Sequence, residues 1–381
     1  MIKIKSDKII INDTLFDGYL YIDNRLISSV STENLDADEF YDYTGKFVSS
    51  GFIEMHTHGG GGNAFITDNK DSVIKGCDFH LAHGTTSIMP TVSTDDISIM
   101  IKAVDCIKKA KLSGETKANV LGAHLEGPYL SKNQSGAQAG GHIKSPDPTE
   151  YQAIFEKYGD IIARWTYAPE VDKDQKFAKY LSSKGVILSA GHTDAKYEDM
   201  KKAVENGCSL ITHLYSCTST VTRNKGFRSL GVIESAYLMD ELFVEIIADG
   251  KHLPPELIKM IVKIKGADKV CLVTDSLEIA GSNVLSGVMS GVEFEVSDGV
   301  CKLKDGTGFA GSIATADMLL KTLIFECGYS VPFAVKMITK TPASLLKLNK
   351  GELKAGFDAD IVVFDDKINV SNVFVGGEKV I

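Results

Sequence analysis

Residues 186–213 read VILSAGHTDAKYEDMKKAVENGCSLITH and contain one complete unit of the pattern that runs through the middle of the chain. An apolar segment of strand length, Val186–His192, is followed by a segment of helical period, Lys196–Asn206, and then by a second apolar segment, Leu210–His213. Both apolar segments end in a histidine. A strand, a helix and another strand in this order are typical of a parallel β-sheet covered by helices.

The same alternation continues in both directions from this unit. Apolar segments of strand length lie at Phe52–His58, Thr86–Pro90, Val120–Glu126, Ile161–Ala168, Val186–His192, Leu210–His213, Phe243–Asp249 and Val270–Asp275. Amphipathic segments lie between several of them, at Asp95–Ala110, Asp174–Lys184, Lys196–Asn206 and Pro255–Lys265. Eight strands with intervening helices predict an α/β fold, a (β/α)8 TIM-type barrel, over residues 51–350. The Gly-, Val- and Ser-rich segment Ser282–Gly308 breaks the alternation and is predicted to be an inserted hairpin.

Both ends of the chain have a different pattern. Near the N-terminus, Ile2–Lys5 alternates apolar and polar residues with the period of two that half-buried strands have. Near the C-terminus, the apolar run Ile361–Phe364 is followed by a predicted hairpin with Gly376-Gly377 at its tip. We therefore predict a small β-sandwich domain that is assembled from residues 1–50 and 351–381.

The composition excludes several classes of function. The 381 residues include 50 acidic and 41 basic side chains, a net charge of -9 that argues against binding to nucleic acid or to an anionic membrane. The chain has no apolar run of 18 residues, so we expect no membrane span. Its seven cysteines are scattered and form no C-x-x-C pair, which favours reduced thiols and a cytoplasmic location.

Ionisable side chains collect at the ends of the predicted barrel strands. They are His56, His58, Glu126, His192, His213 and Asp275. Since the carboxyl ends of all strands meet at one mouth of a barrel, these side chains are predicted to form a cage of nitrogen and oxygen donors for Zn²⁺, Fe²⁺ or another divalent ion. Glu126 offers two oxygens and can bridge two ions. A bound ion lowers the pKa of its water towards about 7, and Asp275 is then suited to act as general base and later as acid.

The remaining histidines have simpler interpretations. His80 and His83 are about one helical turn apart and are predicted to lie on the C-terminal face of a helix. His124 shares a strand face with Glu126, and we favour a place in the core over direct metal binding. His142 lies in a glycine-rich loop, where contact with a substrate and simple exposure are both open.

Several motifs of the chain resemble the amidohydrolase superfamily and, within it, the N-acetylglucosamine-6-phosphate deacetylases. They are SSGFIEMHTHG (residues 49–59), HLEGPY (124–129), GHT (191–193), THLY (212–215), ADGKH (248–252), VTD (273–275), AGS (310–312) and KGELKAGFDADIVVF (350–364). The resemblance covers nearly the whole chain. The first and last motifs are typical of the superfamily broadly, whereas Glu-Gly-Pro in the second is more specific to the deacetylases.

This resemblance implies a reaction and a set of roles. Glu126, His192 and His213 would hold one metal ion, and His56 and His58 would form a second site with Glu126. The implied reaction removes acetyl from a 2-acetamido sugar phosphate, with Asp275 as the catalytic aspartate. The resemblance further places His252 near the sugar phosphate and implies a homodimer in which the partner subunit supplies an arginine to that phosphate.

The residues expected around the substrate depart from the family pattern. Gln138 stands where the family has histidine, and Ser216-Cys217 replaces the usual Asn-Ala. The family's Arg-Glu-Pro-Gly becomes Arg223-Asn-Lys-Gly226, so Arg223 is a candidate phosphate ligand beside the alternative of a solvated loop. Two alternative functions therefore stay open. One is hydrolysis of another acetamido sugar, an N-acyl amino acid or a cyclic amide, and the other is catalytically silent binding of a sugar phosphate.

Overall fold

The computed structural model describes residues 1–289, 292–306 and 308–381. Its centre is a parallel barrel sheet, which confirms the predicted α/β fold. The eight barrel strands, in chain order, are Phe52–Thr57, Thr85–Val92, Ala123–Glu126, Ile162–Tyr167, Ile187–Ala190, Cys208–Ile211, Phe243–Ile246 and Val270–Leu272. Each strand pairs in parallel with the next one along the chain. A short additional strand, Asn119–Val120, pairs with the second barrel strand.

Backbone hydrogen bonds join the first barrel strand to the segment that follows the eighth. The amide of Asp275 donates to the carbonyl of His56 at 2.9 Å, and the amide of His58 donates to the carbonyl of Ser276 at 2.7 Å. The buried carboxylate of Glu54 also accepts from the amide of Thr274 at 2.9 Å. The barrel is therefore closed at the end where the predicted site residues lie.

Helices surround this barrel. The α-helices are Lys70–Ala82, Ile97–Ser113, Pro148–Tyr158, Lys176–Ser183, Tyr197–Glu205, Val232–Leu238, Pro255–Lys265, Ala316–Lys321, Val331–Lys336 and Lys340–Leu346. Three 3-10 turns, Lys132–Gln134, Gly140–His142 and Pro169–Val171, and one π-helical turn, Thr322–Glu326, complete the helical elements. The segment Pro255–Lys265, predicted from its helical period, is a helix with the same bounds in the structure, where Pro255 lies in the first turn and Gly266 follows the last one.

The small β domain from both termini is also confirmed. Its strands are Ile2–Ile11, Thr14–Asp23, Leu26–Ser31, Glu39–Asp42, Phe47–Ser50, Ile361–Phe364, Val370–Val375 and Glu378–Lys379, and they belong to one hydrogen-bonded network. Phe47–Ser50 joins the two ends of the chain, because it pairs with both Ile2–Ile11 and Ile361–Phe364. The predicted hairpin tip is present: Gly376 and Gly377 have φ of 54° and 80°, the left-handed values that a tight two-residue turn requires. The boundaries at residues 50 and 351 stay a prediction.

The predicted hairpin at Ser282–Gly308 is part of a larger element. The structure has an antiparallel sheet of four strands, Ser286–Met289, Val292–Ser297, Val300–Leu303 and Phe309–Gly311. Residues 290, 291 and 307 of this segment lie outside the described residues. Two short hairpins also occur, formed by Gly59–Gly60 with Asn63–Ala64 and by Thr222–Asn224 with Phe227–Ser229. Within the described ranges, no helix has both the length and the apolar character needed to cross a membrane.

Candidate active site

The carboxylate of Glu126 lies at the centre of four imidazoles at the carboxyl end of the barrel. Its Oε1 is 3.1 Å from Nε2 of both His192 and His213, and 3.4 Å from Nε2 of His56. Its Oε2 is 3.3 Å from Nε2 of His58. All five residues are buried. The structure therefore brings together the five side chains that the sequence analysis predicted to bind metal.

Asp275 forms one side of the same cluster. Its Oδ1 lies 3.1 Å from Nε2 of His58 and 3.3 Å from Nε2 of His56. Burial acts to raise the pKa of this carboxyl group, but the charge of His56 and the hydrogen bond with His58 lower the pKa to about 2. Asp275 is therefore ionised near neutral pH and can accept a proton.

Three of these residues have a left-handed backbone just beyond the end of their strand. The φ angles are 48° for His192, 29° for His213 and 48° for Asp275. L-residues rarely adopt such angles, which cost on the order of 1–3 kcal/mol each. Tertiary hydrogen bonds hold two of them: the amide of Asp275 donates to the carbonyl of His56, and the amide of His213 donates to Glu245 Oε2 at 3.4 Å. This backbone strain is concentrated where the side chains must turn towards Glu126.

All four imidazoles direct Nε2 towards the centre and contact a neighbour through Nδ1. The Nδ1 partners are the hydroxyl of Ser93 for His58 at 2.8 Å, the carbonyl of Gln134 for His192 at 2.9 Å, the carbonyl of Ser216 for His213 at 3.2 Å and the carboxylate of Glu245 for His56 at 3.3 Å. A carbonyl or a carboxylate can only accept, so its partner nitrogen carries the proton. In the neutral form of these rings, Nε2 is then the unprotonated nitrogen that a metal ion needs.

The cluster fits a divalent metal ion. Its members form two overlapping groups, His56 with His58 and Glu126, and Glu126 with His192 and His213, whose ligand atoms lie within 4.8 Å of one another. Nε2 of His56 is buried and has no hydrogen-bond partner among the described residues. Two carboxylates lie within 3.4 Å of this nitrogen, but neither has the angles of a hydrogen bond. Imidazole nitrogens and carboxylate oxygens are the donors that Zn²⁺ and Fe²⁺ prefer.

Metal binding at this cluster is expected to strengthen as the pH rises. In the metal-free protein, burial acts to lower the pKa values of His56 and His58, but Asp275 and Glu126 outweigh it and raise them to about 10 and about 9. Below those values each imidazole carries a proton that a cation must displace. For each proton displaced, the affinity for Zn²⁺ should therefore fall roughly tenfold with every unit by which the pH is lowered.

Calorimetric titration with Zn²⁺ in buffers of different ionisation enthalpy measures this proton release directly. A proton count near zero at neutral pH would contradict the expectation.

Two histidines outside the cluster have structural partners. His124 is buried, and its two ring nitrogens contact the hydroxyls of Thr91 and Thr166 at 3.0 and 2.7 Å, so it lies in the core as predicted. Burial lowers its pKa well below the usual value and keeps it neutral. His80 is buried near the end of helix Lys70–Ala82 and contacts the carbonyl of Gly59 at 2.8 Å.

Two charged residues that the sequence analysis missed lie beneath the cluster. Arg164 and Glu245 are fully buried and form an ion pair inside the barrel. Burial acts to raise the pKa of Glu245, but the charge of Arg164 lowers it to about 2. The available signal was a single charge in the middle of an apolar strand, in IIARWTYA (161–168) and FVEII (243–247).

A cavity of about 690 Å³ opens above the cluster. Its wall includes four of the five predicted substrate-binding residues, Gln138, Ser216, Cys217 and His252. The four-stranded sheet contributes Leu303 and Phe309 to the wall, and the ring of Phe309 packs against that of His252 with centroids 4.9 Å apart.

Two of these wall residues are held by hydrogen bonds. Gln138 donates from Nε2 to Glu126 Oε2 at 2.6 Å and accepts from the amide of Thr94 at 2.8 Å. His252 contacts Asp249 Oδ2 through Nδ1 at 2.7 Å.

Arg223, the fifth predicted substrate-binding residue, lies elsewhere. It belongs to the exposed hairpin formed by Thr222–Asn224 and Phe227–Ser229, and it is not among the described residues that line the cavity. Phe227 on the same hairpin is 80% exposed. Chain order alone does not distinguish this position from one at the cavity, because the hairpin follows the sixth strand closely in the chain and yet is exposed.

A comparison with protein-family models assigns the chain. The model of the amidohydrolase family matches residues 47–380. The chain belongs to this family. The amidohydrolase superfamily consists of hydrolases that depend on divalent metal ions, in agreement with the two groups of potential ligands around Glu126.

This amidohydrolase is similar to proteins named as sugar-phosphate deacetylases. It is 32% identical to the N-acetylglucosamine-6-phosphate deacetylase of Lysinibacillus sphaericus, over 88% of this chain and 85% of that protein. It is 30% identical to the N-acetylgalactosamine-6-phosphate deacetylase of Shewanella sp. (strain ANA-3), over 93% and 88% of the two chains. A structure of a mutant N-acetyl-D-glucosamine-6-phosphate deacetylase from Mycobacterium smegmatis, in complex with N-acetyl-D-glucosamine-6-phosphate, superimposes with a TM-score of 0.92 at 26% identity, covering 100% and 99% of the two chains.

Proposed function

We propose that this amidohydrolase removes the acetyl group of N-acetylglucosamine 6-phosphate and releases acetate and glucosamine 6-phosphate. The observation that carries the proposal is the cavity whose floor contains Glu126 between His58, His192 and His213, with Asp275 beside them. The deacetylases named above support the choice of substrate, since their similarity extends over most of the chain.

We infer that Glu126, His192 and His213 hold one divalent ion and that His56 and His58 hold a second with Glu126. Zn²⁺ is the ion we expect first and Fe²⁺ the alternative, because both accept nitrogen and oxygen donors. A bound ion of this kind supplies Lewis acidity, which polarises an amide carbonyl and acidifies water.

Asp275 moves the proton in the proposed reaction. Its ionised carboxylate accepts a proton from the water whose oxygen attacks the amide carbon. As the carbon–nitrogen bond breaks, Asp275 delivers that proton to the nitrogen, which leaves as the amine. The contacts with His56 and His58 hold Oδ1 on the side of the cluster where this transfer occurs.

The walls of the cavity bind the sugar phosphate. Nδ1 of His252 is hydrogen-bonded to Asp249, so the other ring nitrogen is available for the substrate. Gln138, Ser216 and Cys217 contribute polar groups to the same space.

Arg223 does not line the cavity of its own chain, so a role for it in phosphate binding requires the homodimer that we infer from the family resemblance. The cytoplasmic location also stays a prediction.

N-acetylgalactosamine 6-phosphate is the second candidate substrate. The named Shewanella relative is 30% identical, and Gln138, Ser216 and Cys217 all depart from the residues expected in the glucosamine family. The two sugars differ at one hydroxyl group, which these side chains can distinguish only through hydrogen bonds.

A panel of acetylated sugars tests the proposal. Metal-replete protein is offered N-acetylglucosamine and N-acetylgalactosamine, each with and without the 6-phosphate, and the release of free amine is followed. We expect fastest turnover of N-acetylglucosamine 6-phosphate. A charge-assisted hydrogen bond contributes about 1.5–3 kcal/mol, so loss of the phosphate should lower kcat/KM at least about tenfold. Turnover of another acetamido substrate without turnover of this one would reject the proposal.

A further inference from the structure

We infer that the buried ion pair of Arg164 and Glu245 positions His56 for metal binding from beneath the site. The inference rests on the proposed metal site and goes beyond it, because it assigns two positioning residues that bind neither substrate nor metal. It follows from the contacts of the two side chains inside the barrel.

Arg164 uses all of its donors inside the barrel. The residue lies on the fourth barrel strand and is fully buried. Its Nε donates to the Ser189 hydroxyl at 3.0 Å, Nη2 donates to the Thr212 hydroxyl at 3.0 Å, and Nη1 donates to the carbonyl of Met55 at 3.1 Å. The two remaining N–H groups bind both carboxylate oxygens of Glu245. With five bonds to four strands or their ends, the guanidinium has a single orientation.

Glu245 transmits this orientation to the site. It lies on the seventh barrel strand and is fully buried. Its Oε2 contacts His56 Nδ1 at 3.3 Å and accepts from the amide of His213 at 3.4 Å. Because the carboxylate is paired with Arg164, it acts as an acceptor, so His56 carries a proton on Nδ1. In the neutral ring that binds a metal ion, Nε2 of His56 then presents its lone pair to the space between Glu126 and Asp275.

His56 is distinct among the four imidazoles in this respect. The other three present Nδ1 to a neutral group, the hydroxyl of Ser93 or the carbonyls of Gln134 and Ser216. A carboxylate partner raises the basicity of the ligand as well as fixing the ring. Replacing a buried ion pair by packed apolar groups is often neutral or stabilising, so a buried pair is weak evidence of a role in stability. A buried pair at this position is therefore better explained by the orientation of His56 than by stability.

The test separates positioning from folding. The double variant Arg164→Met/Glu245→Leu replaces the pair with apolar side chains, and Glu245→Gln removes the charge alone. Asp172→Asn is the control, because Asp172 is another buried carboxylate, which accepts from the amides of Phe177 and Ala178 and does not contact the cluster. His56→Asn gives the full effect of losing the ligand.

Zn²⁺ affinity and stoichiometry are measured by titration against a chelator, and thermal unfolding of the metal-free proteins reports the fold. We expect both pair variants to weaken binding of the ion that depends on His56 by roughly 10–100-fold, the usual effect of removing a residue that contacts a metal ligand. Asp172→Asn should leave this affinity unchanged. A double variant that binds Zn²⁺ as tightly as the parent would overturn the inference. A His56→Asn variant that binds Zn²⁺ as tightly as the parent would also overturn it. A parental protein that binds no Zn²⁺ would instead reject the proposed function itself.

A second measurement uses the parental protein alone, in case the variants fail to fold. NMR of the Zn²⁺-loaded protein labelled with ¹⁵N-histidine, assigned with His56→Asn, should show the His56 proton on Nδ1. A proton on Nε2 of His56 would overturn the inference.

Discussion

Replacing Asp275 with asparagine is expected to lower kcat by roughly 10²–10⁴-fold, the usual contribution of a general acid–base group. The amide of asparagine has nearly the same shape as the carboxylate but cannot accept and return a proton at neutral pH. Metal content should stay close to that of the parent, because neither group of three potential ligands includes Asp275. The measurement is a steady-state comparison of kcat and KM together with elemental analysis of bound metal.

Asp317→Asn is the matched control for this variant. Asp317 is also a buried aspartate in contact with a histidine, His83 at 2.9 Å, but it does not line the cavity among the described residues. The control should retain parental kcat. Parental kcat in Asp275→Asn would show that another group carries the proton.

Replacing Glu126 with glutamine is expected to remove both metal binding and activity. Glu126 is shared by the two groups of potential ligands, and its oxygens lie within 3.4 Å of four imidazoles. Burial acts to raise the pKa of Glu126, but His56, His192 and His213 hold it well below the usual value, so it supplies a full negative charge. The loss of this charge should weaken Zn²⁺ binding by more than roughly 100-fold, the largest usual effect of removing a residue that contacts a metal ligand without binding the ion itself.

Metal content after dialysis and turnover at defined Zn²⁺ concentrations measure this effect. Glu234→Gln is the control, because Glu234 accepts from the amide of Gly231 at the start of helix Val232–Leu238 and does not belong to the cluster. Retention of parental metal content by Glu126→Gln would contradict the proposed site. Together, the two variants separate proton transfer from metal binding. Asp275→Asn removes the proton-transferring group and keeps the metal, whereas Glu126→Gln removes the metal.

The sequence by itself determined the architecture and the inventory of the site. Strand and helix periodicity is a local property, so eight strand-length segments with helical segments between them were sufficient to predict the barrel, and Pro255–Lys265 was predicted with its observed bounds. A histidine or carboxylate at the end of a barrel strand must lie at the common mouth. For this reason Glu126, His192 and His213 could be grouped although they are far apart in the chain.

Only the tertiary structure decided how these residues face one another. The left-handed backbone at His213 and Asp275 is held by hydrogen bonds to other strands and has no signature in the local sequence. The pairing of Arg164 with Glu245 depends on which side chains of the fourth and seventh strands meet inside the closed barrel. Such contacts arise from closure and register, which are properties of the whole sheet, whereas composition and spacing describe each strand alone.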